Sequence, residues 1–243
     1  MAIGLADSGE GGIPSFQVTN STQSTISATI TVTPSYENNG IICDGNAETF
    51  TITVNPSPEM DNVEDVVLCN NEISSIIEFT TPNTDGNTTY TWTNDNTSIG
   101  LSSTGNGDIP SFTALNLSPI TEVATITVTP TYENNGVVCI GDPQTFSISV
   151  LSEIEITGTT VDALDCNDPN SGNINITVTG GSGVYDFLWS NGAITEDLNN
   201  IGPGDYSVTV IDSEGCTAIS QTFNIFRQDD LTVEPVSYTH LRA

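Results

Sequence analysis

The sequence predicts an all-β protein built from small units in tandem, and three observations carry that expectation. The chain repeats itself: IGLADSGEGGIPSF…ATITVTPSYENNGIICDGNAETFTITV, residues 3–54, returns 96 residues later as IGLSSTGNGDIPSF…ATITVTPTYENNGVVCIGDPQTFSISV, residues 99–150, with 29 of 52 positions identical and no gap. Self-similarity at a fixed offset of that length marks tandem units, each a small domain. Apolar residues alternate with threonine and serine, the period-two pattern of strands buried on one face. Gly, Asn, Asp and Pro then break the chain every ten residues or so, as turns require.

Composition narrows the class further. The 243 residues hold 31 acidic side chains against two arginines and no lysine, a formal net charge of -29. Nucleic acid and anionic membranes recruit Lys and Arg, so neither is expected as a partner. Hydrophobic residues make up 36% of the chain and are ordered in period, which argues for a folded and heavily solvated protein. Self-repulsion of this size makes counter-cations a plausible part of the folded state. No stretch approaches the ~18 apolar residues of a spanning helix, so no membrane insertion is expected. The start has no signal-peptide pattern and falls inside a repeat, so the chain reads as a fragment of something longer.

In order, residues 1–55 read as the second half of one unit. Ala28-Thr29-Ile30-Thr31-Val32-Thr33 alternates strictly before Pro34 ends the strand, and Thr49-Phe50-Thr51-Ile52-Thr53-Val54 alternates again. Tyr36-Glu37-Asn38-Asn39-Gly40 supplies the turn, since Asn and Gly accept positive φ. Residues 56–152 read as one complete unit. Strands are expected at residues 63–68, 76–80, 89–93, 112–115, 124–129 and 145–150. About seven short strands in a unit of this size indicate an immunoglobulin-like β-sandwich, the units following one another as beads on a string. Trp92 could serve as a sugar-stacking platform, but a Trp on a middle strand reads first as core, and Trp189 is read the same way. Residues 153–226 form a third unit, with strands at 173–179, 185–189, 206–211 and 222–226. Both arginines and the single His240 lie in residues 227–243, a tail read as non-native from about residue 236.

Cysteine arithmetic is the strongest chemical signal. Five cysteines occur, and the repeat offset makes Cys43 equivalent to Cys139. Pairing Cys69 with Cys139 and Cys166 with Cys216 crosses no unit boundary and leaves Cys43 as a free thiol. Each bridge would contribute roughly 4 kcal/mol in the chain-entropy model. Disulfides place the chain outside the reducing cytosol. A metal cluster lacks both CxxC spacing and a useful histidine.

Catalysis finds little support. Nucleophilic triads need an imidazole, and His240 sits in the tail. Two carboxylates would suffice for glycoside hydrolysis, but 31 acidic residues make any chosen pair uninformative and a small sandwich offers little cleft. The chain is therefore read as non-enzymatic, with no catalytic or cofactor-binding residue. Calcium is the one cofactor considered, since Asn83-Thr84-Asp85-Gly86-Asn87, Asn94-Asp95-Asn96 and Asp165-Cys166-Asn167-Asp168 offer hard oxygen ligands. None has EF-hand spacing, and such residues are equally plain turn formers, so no metal ligand is assigned. Asn-x-Ser/Thr sequons at Asn20, Asn87, Asn96, Asn116 and Asn175 are expected by chance in so Asn- and Thr-rich a chain.

Two stretches resemble known repeats. TYTWTNDNTSIGLSSTGNGDIPSF…ATITVTPTYENNGVVCIGDPQTFSISV resembles the PKD-like repeat of large Bacteroidota surface proteins. VTGGSGVYDFLWSNGAITEDLNNIGPGDYSVTVIDSEGCT resembles the SprB-type repeat, named for a gliding-motility adhesin. The resemblance implies long, secreted cell-surface filaments, exported by type IX secretion and used in adhesion or gliding, with surface glycans or proteins and neighbouring repeats as partners. A passive spacer stalk that carries a catalytic or carbohydrate-binding head elsewhere is the alternative. Exposed aromatics on one face would favour glycan binding, and two buried tryptophans would favour the stalk.

Overall fold

The computed structural model describes residues 3–164 and 168–227. Residues 228–243 of the tail, read as non-native from about residue 236, and Asp165, Cys166 and Asn167 lie outside the described residues.

The first repeat folds as two hairpins. Strands β1 (Ile26–Val32) and β4 (Glu48–Val54) pair antiparallel, with Ile26 opposite Val54 and Val32 opposite Glu48. Between them β2 (Ser35–Asn38) and β3 (Ile41–Asp44) form a ribbon joined by Asn39 and Gly40. Both linking residues have positive φ, 49° and 80°. A two-residue turn of that kind matches the twist of its strands, and Asn-Gly is the pair that adopts it most readily.

The second unit repeats this frame and completes it. Its strands are β5 (Val66–Leu68), β6 (Asn87–Asn94), β7 (Thr104–Asn106), β8 (Glu122–Asn134), β9 (Val137–Ile140) and β10 (Gln144–Val150). They make one sheet in the order β5-β10-β8-β6-β7, with β9 on the far end of β8. The run β10-β8-β6-β7 has the G-F-C-C′ order of an immunoglobulin sheet. Register is identical to the first repeat at the 96-residue offset, down to Asn135 and Gly136 in the turn, φ 50° and 78°. One difference is informative. β8 runs unbroken through Pro130 with β6 along its flank, whereas its counterpart, which has no such neighbour among the described residues, breaks at Thr33-Pro34 into β1 and β2.

Alternation along β8 sends Ala124, Ile126, Val128, Pro130 and Tyr132 inward and threonines outward. Ala124, Ile126 and Val128 share one buried core with Phe79, Ile99, Leu101, Ile109 and Ala114. The layer around Ile77 and Ile109 is less regular than the strands expected at 76–80 and 112–115. Its pairing is reduced to isolated bridges, Ile73 with Thr113 and Ile77 with Ile109. Side chains take the ladder's place: Phe112 N donates to Ser74 Oγ at 3.0 Å and Phe79 N to Asp108 Oδ1 at 2.9 Å. Pro110, lacking an N–H, cannot extend the ladder.

The third unit contains β11 (Glu155–Val161), β12 (Gly172–Thr179), β13 (Tyr185–Trp189), β14 (Leu198–Ile201), β15 (Gly204–Tyr206), β16 (Val208–Asp212), β17 (Thr217–Ile219) and β18 (Phe223–Ile225). β11-β12-β14 and β13-β16-β17 form two three-stranded sheets, and β15 pairs with β18. Ile174, Ile176, Trp189, Leu198, Val208, Val210 and Phe223 fill the core between them. The chain is all-β, in tandem sandwich units of immunoglobulin-like kind.

Candidate functional site

No described group of three or more His, Cys, Asp or Glu side chains is placed to hold a metal ion. The chemistry of the described chain concentrates instead at the junctions between units.

At the second junction the linker is held on both sides. Leu151 N donates to Leu68 O at 2.9 Å, and Gly181 N donates to Ser152 O at 3.0 Å, so one short segment is stitched to both units. Beside it a disulfide joins Cys69 to Cys216, with Cα atoms 5.5 Å apart. Each cysteine sits on a braced turn. Cys69 N donates to Glu72 Oε2 at 2.8 Å while Glu72 N returns to Cys69 O at 3.1 Å. Cys216 N donates to Asp212 Oδ1 at 2.8 Å, and that same oxygen accepts Glu214 N at 3.0 Å. Asp212 Oδ2 accepts Ser182 N at 2.8 Å, so this buried carboxylate is satisfied wholly by backbone donors. An open cleft of about 530 Å³ lies at the junction, lined by Glu72, Glu153, Ile154, Glu214 and both bridged cysteines.

This bridge corrects the expected pairing of Cys69 with Cys139 and of Cys166 with Cys216. Leu68 stands beside Val150, which faces Glu122 at the start of β8, whereas Cys139 faces Tyr132 near the end of β8. Ten residues of strand separate the two positions, about 33 Å at ~3.3 Å per residue, far beyond the ~7 Å that a disulfide can span. Cys69 therefore lies at the end of its unit that meets the third unit, and Cys139 at the end that meets the first. Cys216, bonded to Cys69, is not available to Cys166, which lies outside the described residues. Cys43 is exposed and Cys139 partly so, both as free thiols.

Among the described residues the first junction has no covalent staple. The ribbon of β8 and β9 reaches the preceding repeat, where Asn134 Nδ2 donates to Thr25 Oγ1 at 2.9 Å. Thr84 N donates to Gln23 O at 2.8 Å, and Tyr132 O–H donates to Thr84 O at 2.8 Å. Gly86 lies so close beneath the Tyr132 ring that a Cβ there would sit 2.4 Å from it.

The two tryptophans are buried, Trp92 in the second core and Trp189 in the third, where its Nε1 donates to Thr195 O at 2.8 Å. Neither offers a stacking platform. Several oxygens of the loops considered for calcium accept bonds from the chain itself. Asn83 Oδ1 accepts Glu59 N, Asn94 Oδ1 accepts Asn96 N, Asp95 Oδ1 accepts Thr125 N and Asp168 Oδ1 accepts Asn170 N.

Three sequons have a structural reason as well. Asn116 Oδ1 accepts Ser118 N, while its Nδ2 donates to Ile120 O and Val150 O, both at 2.8 Å. Asn20, 96 residues earlier, does the same with Thr22 N, Ser24 O and Val54 O. Asn96 caps a short 3-10 turn through Ser98 N and donates to Val123 O. An Asn side chain that accepts from the amide two residues on is an Asx turn, and a hydroxyl residue at that position adds its own bond. Sequence reasoning missed these roles, together with Glu72, Asp212, Tyr132 and Asn134. Only the repeat carried a signal, since Asn20, Tyr36 and Asn38 recur as Asn116, Tyr132 and Asn134.

No curated protein shows significant sequence similarity to the chain. Among solved structures, a C-terminal 282-residue fragment of intimin, in complex with the intimin-binding domain of its translocated receptor, is similar at 16% identity and TM-score 0.39, covering 70% of this chain. This chain spans 63% of that fragment. The amphioxus IgVJ-C2 molecule is similar at 17% identity and TM-score 0.32, over 66% of this chain and 99% of that one. The human desmocollin-1 ectodomain is similar at 15% identity and TM-score 0.26, over 79% and 41%. Residues 157–194 match the SprB repeat family. Within this all-β tandem, that match falls in the third unit.

Proposed function

We infer that this chain is part of a repeat-built surface adhesin, exported to an oxidising exterior and non-catalytic in itself, in which PKD-like units precede the SprB repeat. The observation that carries the reading is the junction between the second and third units. A disulfide there spans two sandwiches, which serves a rod held outside the cell and would not persist in reducing cytosol. The acidic surface supports it by keeping a long filament soluble and apart from anionic membranes. Gliding or attachment to surface glycans or proteins is the role that this architecture fits.

Burial of both tryptophans favours a second reading, the spacer stalk, since no aromatic platform for a sugar faces solvent at either position. The discriminating experiment is retention of the purified, oxidised chain on arrays of surface glycans and proteins. Saturable binding that the soluble chain competes away supports the adhesin. A folded chain that binds nothing supports the stalk.

A further inference from the structure

The two buried tryptophans differ in one respect. Trp189 gives its indole N–H to Thr195 O, whereas Trp92 Nε1 is buried with no hydrogen-bond partner among the described residues. A donor taken out of water and left unpaired is a standing cost, which an arriving acceptor relieves. Trp92 also walls an open cleft of about 390 Å³, at the lower end of the range for small-molecule sites. Leu101, Pro110 and Phe112 give that cleft apolar surface, and Ser102, Thr104, Asn106 and Ser111 give it polar side chains. Among the described residues those four side chains make no hydrogen bond of their own. No charged side chain lines it, in a chain of net charge -29, whereas Glu72, Glu153 and Glu214 line the cleft at the second junction.

The walls are held in place. Buried Asn94 donates from Nδ2 to Leu101 O at 3.1 Å and to Ser102 O at 3.3 Å. The Phe112 segment is fixed by Ser74, whose N–H donates to Phe112 O at 2.9 Å. Gly105 faces Trp92 across the ladder so closely that a Cβ there would fall 2.1 Å from the ring, so β7 lays no side chain over the indole edge. β7 is three residues long and paired on one side only, and it can yield to an acceptor placed over Nε1.

We propose that this cleft binds a neutral acetamido sugar of a glycan, its acetamido oxygen accepting from Trp92 Nε1–H and its methyl group resting on Leu101 and Phe112. The proposal rests on the glycan form of the adhesin reading above. Ring hydroxyls would exchange water for Thr104, Asn106 and Ser111, and so lose little on leaving solvent. An acidic sugar would find no cation here and would meet the field of 31 acidic residues. No exposed aromatic face is needed, because the indole contributes its edge and its N–H.

The test follows the two indole N–H signals of the isotope-labelled, oxidised full chain by NMR, assigned with Trp189→Phe. N-acetylglucosamine or N-acetylgalactosamine should move the Trp92 signal downfield and saturably, and leave the Trp189 signal in place. Glucose and glucuronic acid, which lack the acetamido group, should move neither, and nor should the peptide amide N-acetylalanine methylamide. Asn106 and Ser111 are exposed and have no side-chain bond to lose. Asn106→Ala and Ser111→Ala should therefore each weaken binding about three- to tenfold with an unchanged melting temperature. A Trp92 signal unmoved by both acetamido sugars overturns the site. An equal response to the peptide amide also overturns it, since the occupant would then be a peptide. Retention of the chain on a glycan array while Trp92 stays unmoved removes this site and leaves the adhesin reading standing.

Discussion

Single residues at the junctions make sharp demands. Asp212 satisfies three backbone amides with one buried carboxylate, so Asp212→Ala leaves donors unpaired. The third unit should lose about 1–3 kcal/mol in a urea titration. Asn116→Ala strands the carbonyls of Ile120 and Val150, and a loss of similar size, about 1–3 kcal/mol, is expected for the second unit. Asp65 gives a pH signature. Bonds from Ser147, whose N–H reaches Asp65 Oδ1 at 2.6 Å, hold its carboxyl below the usual range. A lowered folded value means that the contribution is full above the ordinary carboxylate pKa of ~3.9 and is lost as pH falls through the folded value. The advantage of wild type over Asp65→Asn in thermal melts should therefore be constant at neutral pH and vanish in strong acid. Little of this was legible in the sequence. Asn116 reads as a chance sequon and Asp212 as one acid among many, because both roles depend on backbone groups remote in sequence or hidden in a turn.

Elements were far more legible, since strands declare themselves by period. The alternations at Ala28–Thr33 and Tyr185–Trp189 became strands within a residue or two, and Asn-Gly marked both hairpins by its tolerance of positive φ. Gly136→Ala should cost roughly 1–2 kcal/mol, the strain of an L-residue in the left-handed region, measured on the transition of the second unit. The layer around Ile77 and Ile109 was legible in hydrophobicity but not in regularity, because side chains such as Ser74 and Asp108 replace ladder bonds. Cys69 was misassigned for a related reason. Its position follows from the parallel pairing of β5 with β10, a long-range contact that leaves no local pattern.

At the scale of the whole molecule, charge and covalent connection dominate. Self-repulsion at a net charge of -29 should make the melting temperature rise with NaCl as screening grows. Calcium should do no better than magnesium at equal concentration, because among the described residues no three acidic, His or Cys side chains are grouped to hold a cation. Non-reducing peptide mapping should recover Cys69 joined to Cys216, and Cys69→Ser with Cys216→Ser should loosen the two units, read as a larger radius of gyration in X-ray scattering. The same bond has a mechanical meaning. When the chain is pulled from its ends, tension enters at Cys69 and leaves at Cys216 across a gap of 5.5 Å, bypassing the 147-residue span between them. That span is stored contour, on the order of 500 Å at ~3.5 Å per extended residue. Under oxidising conditions it stays out of the line of force, and reduction would place it there, turning a short tether into a long one.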